Sequence, residues 1–341
     1  MKFLKTHLEN LPFCYAAATI KVNGEDRYIF ATDDKGPCLC INPLSKEIEN
    51  IWDGPGGTMS IIPIPGKDGD FLASQNFMPG FTAREAAIVR VRYEGGKWNA
   101  SPWLSVPYIH RFDIIQSGDE NWFIGCILSN TDKPSADWSC PGGMVAARLN
   151  DSFDAPLELD TIATGMTKNH GYCRSQENGQ AVVYVACDEG VFKIPVPESK
   201  SESWRAVRIL NVHASDVAVC DIDNDGKNEL AVIEPFHGSA YVIYHESDSG
   251  YKEAYRYGAE TDFLHAIWGG ELCGEKVFLG GSRAMDKELF AVSCRNGEYC
   301  SNIIEKGYGP SNFAVFKNKA GYNLLVANRE SGECAVFAVT E

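Results

Sequence analysis

No apolar stretch in this 341-residue chain approaches the roughly 18–20 residues that a bilayer-spanning helix needs. The opening residues, MKFLKTHLENLPF, lack the continuous apolar core of a secretory signal. Basic residues are scarce: 31 Lys and Arg stand against 46 Asp and Glu, a formal charge of -15. That balance argues against nucleic acid and anionic membrane as partners. It leaves room for an anionic substrate in a locally basic pocket. Also absent are a P-loop, a dinucleotide fingerprint, G-x-S-x-G and H-E-x-x-H, which sets aside several common enzyme classes.

Cysteine is not scarce: there are 12. Most fall inside strand patterns (Cys126, Cys187, Cys220, Cys294, Cys334), where a reduced thiol packs as a small hydrophobe. With no signal sequence, a reduced, cytoplasmic protein is expected. Cys38 and Cys40 would share one face of a strand. Two readings stand for them, plain packing or a metal role.

What the chain does have is a repeat. Seven times, an apolar strand runs through a Gly/Asp/Asn turn into a second apolar strand, as in ATIKVNGEDRYIFAT and AVFKNKAGYNLLVAN. The units start near Cys14, Met59, His110, His170, Asp216, His265 and Asn312, at intervals of 45 to 60 residues. This period with strand patterning predicts an all-β, seven-bladed propeller of four-stranded antiparallel blades, one domain over 1–341. Third strands read at 38–43, 86–93, 144–149, 190–196, 240–245, 288–294 and 334–339, and a fourth at 204–210. The last unit stops after its third strand, while residues 2–8 form a strand-like piece ahead of the first. Those residues are predicted to complete the last blade and close the ring, leaving no exposed edge there. The insertion at 129–143, carrying Trp138, is a loop either walling a site or forming a plain surface excursion.

Asp221, Asp223, Asp225, Gly226 and Glu229 spell D-x-D-x-D-G-x-x-E. Alternate carboxylates on a tight turn can converge on Ca²⁺, which takes six to eight oxygens. The alternative is an acidic turn holding no ion. The twelfth position is Val232, so this is not an EF-hand.

Only seven histidines occur, yet His110, His170 and His265 each begin the innermost strand of a unit. Asp216 takes the equivalent place between the last two, with His213 just ahead of it. His237 lies in the loop between the second and third strands of that unit. Three neutral imidazoles converging with an open position are the pattern of a catalytic metal site. The other reading is packing in a polar channel. Arg111, Asn169, Gln75, Arg84, Asp188, Glu189, Glu234, Arg283, Arg329, Glu330 and Asn312 are expected on the same face. Its arginines suit a carboxylate. Tyr108, Tyr172 and Trp268 are candidate stacking faces, with burial the stronger reading for Trp268.

The segment VAVCDIDNDGKNELAVIE resembles FG-GAP and VCBS repeats, which implies Ca²⁺ binding on the face opposite the funnel mouth. With the blades and the inner-strand histidines, the chain resembles the propeller of aldos-2-ulose dehydratase/isomerase-type proteins. It is more distantly similar to propeller polysaccharide lyases. This implies metal-assisted chemistry on a keto-sugar or uronate: a lyase, dehydratase or isomerase. His110, His170 and His265 would hold Mn, Fe, Ni or Zn. His213 or His237 would act as base, with Arg111, Arg283 and Glu234 contributing. The dehydratase's second domain has no counterpart in the sequence. The rival reading is a non-catalytic propeller binding a glycan or protein on its top face.

Overall fold

Each repeat folds as consecutive hairpins because its turns carry residues that tolerate positive φ. In blade one, Cys14–Val22, Glu25–Thr32, Cys38–Ile41 and Ile48–Trp52 pair in chain order as strands A to D. The A–B turn is Asn23-Gly24, with φ of 53° and 76°. Two central residues of positive φ are what a tight hairpin following the strand twist requires. The computed structural model describes residues 1–150, 152, 153 and 157–341, and these form seven four-stranded antiparallel sheets. Among the described residues the helical element is one short turn, Pro79–Phe81.

The ring closes as the sequence predicts. Lys2–Asn10 pairs with Glu333–Thr340, from Lys2 opposite Thr340 to Asn10 opposite Glu333. Lys5 adds ion pairs of 2.7 Å to both Glu305 and Glu333. The N-terminal strand is therefore the outer strand of blade seven.

The B strands are buried on both faces, which explains why they read as unbroken apolar runs. In Gln180–Cys187 every residue after Gln180 is buried. Outer strands such as Lys97–Ser105 expose much of their length. Apolar clusters bridge successive blades, and Leu11, Cys14, Tyr28 and Phe30 of the first pack with Leu325 and Cys334 of the last. Each fully buried Leu, Ile or Phe contributes roughly 1.5–3 kcal/mol. Three expected strands are shorter than predicted: 38–43 ends at Ile41, 190–196 ends at Pro195, and 204–210 loses its first three residues. Blade four's D strand is Val207–Leu210, because Trp204 leaves the ladder to pack edge-on against Trp122, 5.2 Å between centroids.

This topology puts the B–C and D–A loops at one end of the central channel and the A–B hairpins at the other.

Candidate functional site

The site grows from one repeated irregularity. In four blades the ladder between strands A and B slips at the second residue of strand A. The residues at the slips are Tyr15, His110, His265 and Ser311. Such bulges re-aim a side chain. His170 directly precedes strand A of blade four, Gly171–Glu177. His237 arrives from the B–C loop of blade five at φ 48°, an uncommon conformation for a residue other than glycine.

Four imidazoles thereby form a layer across the channel. His170, His237 and His265 each offer a ring nitrogen, all three within 4.8 Å of one another. The Nε2 atoms of His170 and His237 are 3.3 Å apart. His265 Nδ1 donates to the Ser311 carbonyl at 2.8 Å, which turns its Nε2 lone pair inward. The Tyr15 hydroxyl donates to that nitrogen at 3.1 Å. His110 stacks on His170 with centroids 4.1 Å apart. The Nδ1 atoms of His110 and His170 are buried without a hydrogen-bond partner.

These rings are held neutral. Burial is the main cause of the lowered pKa of His110, His170 and His265, all at most 2% exposed. Their mutual proximity and the nearby Arg111 and Arg283 add to it. His237 is brought down to about 3 by burial, then by Arg283, Lys168 and Arg111. A neutral imidazole keeps the lone pair that a transition metal needs.

The layer divides two cavities. The upper one, about 240 Å³, is floored by the four histidines and walled by Tyr15, Asp33, Phe81, Phe263, Arg283 and Arg329. Asp33 Oδ2 accepts from Arg329 at 2.5 Å, while its Oδ1 is buried without a partner. Burial raises the Asp33 pKa, against the pull of Arg329. Arg283 is 8% exposed, pairs with Glu330 at 2.7 Å and lies 4.4 Å from the Phe263 ring. The blade-three insertion does wall this end: Trp138 packs edge-on against Phe81, centroids 5.4 Å apart, and the Ala136 N–H donates to the Phe81 carbonyl.

The lower cavity, about 390 Å³, takes Arg111, Asp113, Tyr172, Asp216, Trp268 and Asn312. Asn312 sits one residue beyond the slip at Ser311, and Asp216 opens a strand A whose ladder has no slip; both line this cavity rather than joining the histidine layer. Arg111 is likewise below, its guanidinium 4.0 Å from Asp216. Trp268 is half-buried on the same wall.

Other expected residues fall elsewhere. His213 is exposed, because Ala214 and Ser215 separate it from the strand, and it lies outside the cavity lining. Glu234 accepts from the Tyr244 hydroxyl at 2.7 Å. Asp188 pairs with Lys168, Arg84 with the exposed Asp132, and Asn169 donates to Gly143 in the core. Tyr108 is 1% exposed in the core. The metal-distance trio thus contains His237 in place of the expected His110.

On the opposite face, Asp221, Asp223 and Asp225 bring carboxylate oxygens within 4.8 Å of one another. Glu229 is fully buried, one oxygen accepting from the Ile222 N–H and the other 2.7 Å from His245 Nδ1. Lys276 pairs with Asp221 at 2.7 Å. Cys38 and Cys40 are buried free thiols with raised pKa values, burial being the chief cause, and join no metal-distance group among the described residues.

Comparison with known proteins agrees with this geometry at the level of fold. The FG-GAP repeat pattern matches residues 213–250, the acidic loop and its two flanking strands included. The propeller domain of Swd1 (Cps50) from Myceliophteria thermophila is 8% identical, with a TM-score of 0.63 over 99% of this chain and 100% of that one. Sqt1 of Saccharomyces cerevisiae is 9% identical, with a TM-score of 0.57 over 100% and 99%. A candidate 6-phosphogluconolactonase of Bacteroides fragilis is 14% identical, with a TM-score of 0.57 over 92% and 87%. No curated protein sequence matches.

Tyr15, Asp33, Phe81 and Phe263 of the upper cavity's walls escaped the sequence reading, and the first two carried a signal. Tyr15 occupies the same offset in its strand as His110 and His265. Asp33 is the first residue after strand B, as are Arg283 and Arg329. Alignment of the repeats by strand B would have found both.

Proposed function

We propose that the upper cavity is a metal-assisted site for a small anionic sugar derivative, a keto-sugar or uronate, in which a carbon-bound proton next to a carbonyl or carboxylate is moved. The observation that carries this reading is the floor itself: three neutral imidazoles within ligand distance, opening on a cavity that two arginines also line. His170, His237 and His265 would hold a divalent transition metal such as Mn, Fe, Ni or Zn. When bound, it would act as a Lewis acid towards a substrate oxygen.

The chain's own residues supply the rest. Arg283 and Arg329 keep N–H donors beyond those spent on Glu330 and Asp33, and a guanidinium fork suits a carboxylate. Asp33 Oδ1, buried without a partner and with a raised pKa, fits the group that takes the proton. The Tyr15 hydroxyl, its pKa pushed up to about 12 by burial, stays protonated; it donates to His265 Nε2 in the metal-free protein and would turn to a substrate oxygen once that nitrogen held a metal. Phe81 and Phe263 exclude water. A volume of about 240 Å³ lies below the roughly 300–1,000 Å³ of sites for drug-sized ligands, which favours one sugar ring over a polymer. A candidate 6-phosphogluconolactonase shares the fold, which is compatible with a small sugar-derived substrate.

The test is proton exchange. Protein loaded with Mn, Ni or Zn is incubated in D₂O with a panel of uronates and keto-sugars, and deuterium uptake at the carbon next to the carbonyl or carboxylate is followed by NMR. Uptake or elimination that Asp33→Asn abolishes supports the reading. Saturable binding without exchange across the panel contradicts it and puts the non-catalytic binder in its place.

A further inference from the structure

Asp216 is the polar group that the proposed chemistry leaves unused, and its surroundings are specific. It is 4% exposed. One oxygen, Oδ1, accepts the N–H of Val217 at 2.9 Å. The other, Oδ2, lies 3.9 Å from His170 Nδ1 and 4.0 Å from the Arg111 guanidinium. His170 Nδ1 in turn has no hydrogen-bond partner. A buried ring nitrogen and a buried carboxylate oxygen therefore face each other about one ångström short of a direct bond.

The backbone has been shaped to allow this approach. Gly171 follows His170, and a Cβ there would stand 2.5 Å from the Asp216 Cα and 2.8 Å from the Ser215 carbonyl oxygen. Any larger residue would push the strand bearing Asp216 away from His170. His265 shows what such an outward contact achieves. Its Nδ1 is tied to the Ser311 carbonyl, and its Nε2 is thereby aimed into the layer. Metal-binding histidines generally give their second ring nitrogen to a carbonyl or carboxylate, which fixes tautomer and ring angle.

From these distances we infer that Asp216 is the positioning residue of the histidine layer: it takes the Nδ1–H of His170 from the lower cavity, so that His170 Nε2 faces His237 and His265 as an open ligand. Asp216 does not touch the substrate cavity, and its role is exerted through His170. The metal part of this inference rests on the function proposed above; the tautomer part does not.

Two measurements separate them. Long-range ¹H–¹⁵N correlation spectra of metal-free, ¹⁵N-labelled protein report which nitrogen of His170 carries hydrogen, with His170→Gln giving the assignment. Wild type should show the Nδ1–H tautomer. Asp216→Ala should convert His170 to a mixture, and Asp216→Asn, which keeps an acceptor but no charge, should largely restore Nδ1–H. In parallel, Co²⁺ titration followed in the visible region should show affinity falling about 10–100-fold in Asp216→Ala, with Asn between, the usual cost of losing such a partner. An Nε2–H tautomer in wild type overturns the inference, as does an Asp216→Ala protein with unchanged tautomer. Unchanged Co²⁺ affinity in that variant overturns its metal part. If wild type shows Nδ1–H yet binds no Co²⁺, the metal reading of the cavity fails while the positioning of His170 stands. Should Asp216→Ala not fold, the wild-type tautomer and the near-isosteric Asn variant still decide.

Discussion

The acidic loop of blade five and the histidine layer bring together metal-binding side chains in opposite ways. The loop takes its carboxylates from one turn, Asp221 to Asp225, and they would meet in almost any folded context. The layer takes His170, His237 and His265 from three blades, and they meet only because the ring closes. The loop also carries its own compensation: Lys276 is on Asp221 and His245 on Glu229. The layer has none. Its nitrogen atoms converge with two Nδ1 atoms left unpartnered, in a place that burial makes hostile to protons. A turn can tolerate an empty site, whereas a buried set of lone pairs is costly unless something binds it.

Acid should expose this difference most strongly. In the metal-free protein the layer's histidines have folded pKa values far below the unfolded value of about 6.5. The unfolded chain then binds protons that the folded one refuses, so stability is full above that value and falls as pH drops towards the folded values, about 3 for His237. Each histidine contributes up to about 1.4 kcal/mol per pH unit. Asp216 works the other way: burial raises its pKa to about 7, so it costs stability as pH rises from about 4 to 7. Asp33, Asp113, Glu229, Glu234 and Glu305, also raised by burial, oppose the four histidines in the same sense as Asp216, and urea titrations should still show a net loss of stability between pH 6.5 and 4.5. A flat profile would break the contrast.

Next in size is the metal itself. His265→Ala should weaken Ni²⁺ or Zn²⁺ binding at least a hundredfold, about 2.7 kcal/mol. His110→Ala should leave it within a few-fold, because His110 stacks on the trio without joining it. Isothermal titration of the two variants sharpens the assignment, and equal losses would restore His110 as a ligand. Gly171→Ala should cost about 1–3 kcal/mol in thermal unfolding, since the added methyl meets backbone at 2.5 Å. The smallest effects belong to the loop. Ca²⁺ should raise the melting temperature by only a degree or two, and Asp223→Asn should abolish the rise. Lys276→Met should strengthen Ca²⁺ binding by no more than about 1 kcal/mol, the range of a part-exposed ion pair.

The same contrast explains what the sequence disclosed. Blade number, strand order and closure by the N-terminal strand were legible because buried B strands and glycine-bearing A–B turns are local signals, and every blade carries its own. The acidic loop was legible for the same reason, and it lies within the 213–250 match. The layer was legible only in part. His110, His170 and His265 showed themselves by their common strand offset, but which three nitrogens meet depends on a loop entering at φ 48° and on bulges that shift each strand by one residue. Those shifts left Asn312 on the lower cavity and brought Tyr15 into the upper one, while Asp216, on a strand without a slip, faces the lower cavity. Periodicity cannot carry a one-residue slip, since it changes direction without changing spacing. His213 was misleading for the converse reason: near in sequence to Asp216, it lies on an exposed loop.

The most direct measurement is the metal content of protein purified without chelator, for wild type, for His110→Ala and for the triple variant His170→Ala/His237→Ala/His265→Ala, each verified as folded. The account predicts close to one Mn, Fe, Ni or Zn per chain in wild type and in His110→Ala, and none in the triple variant. Wild type without transition metal even after loading, or a triple variant that retains it, would contradict it.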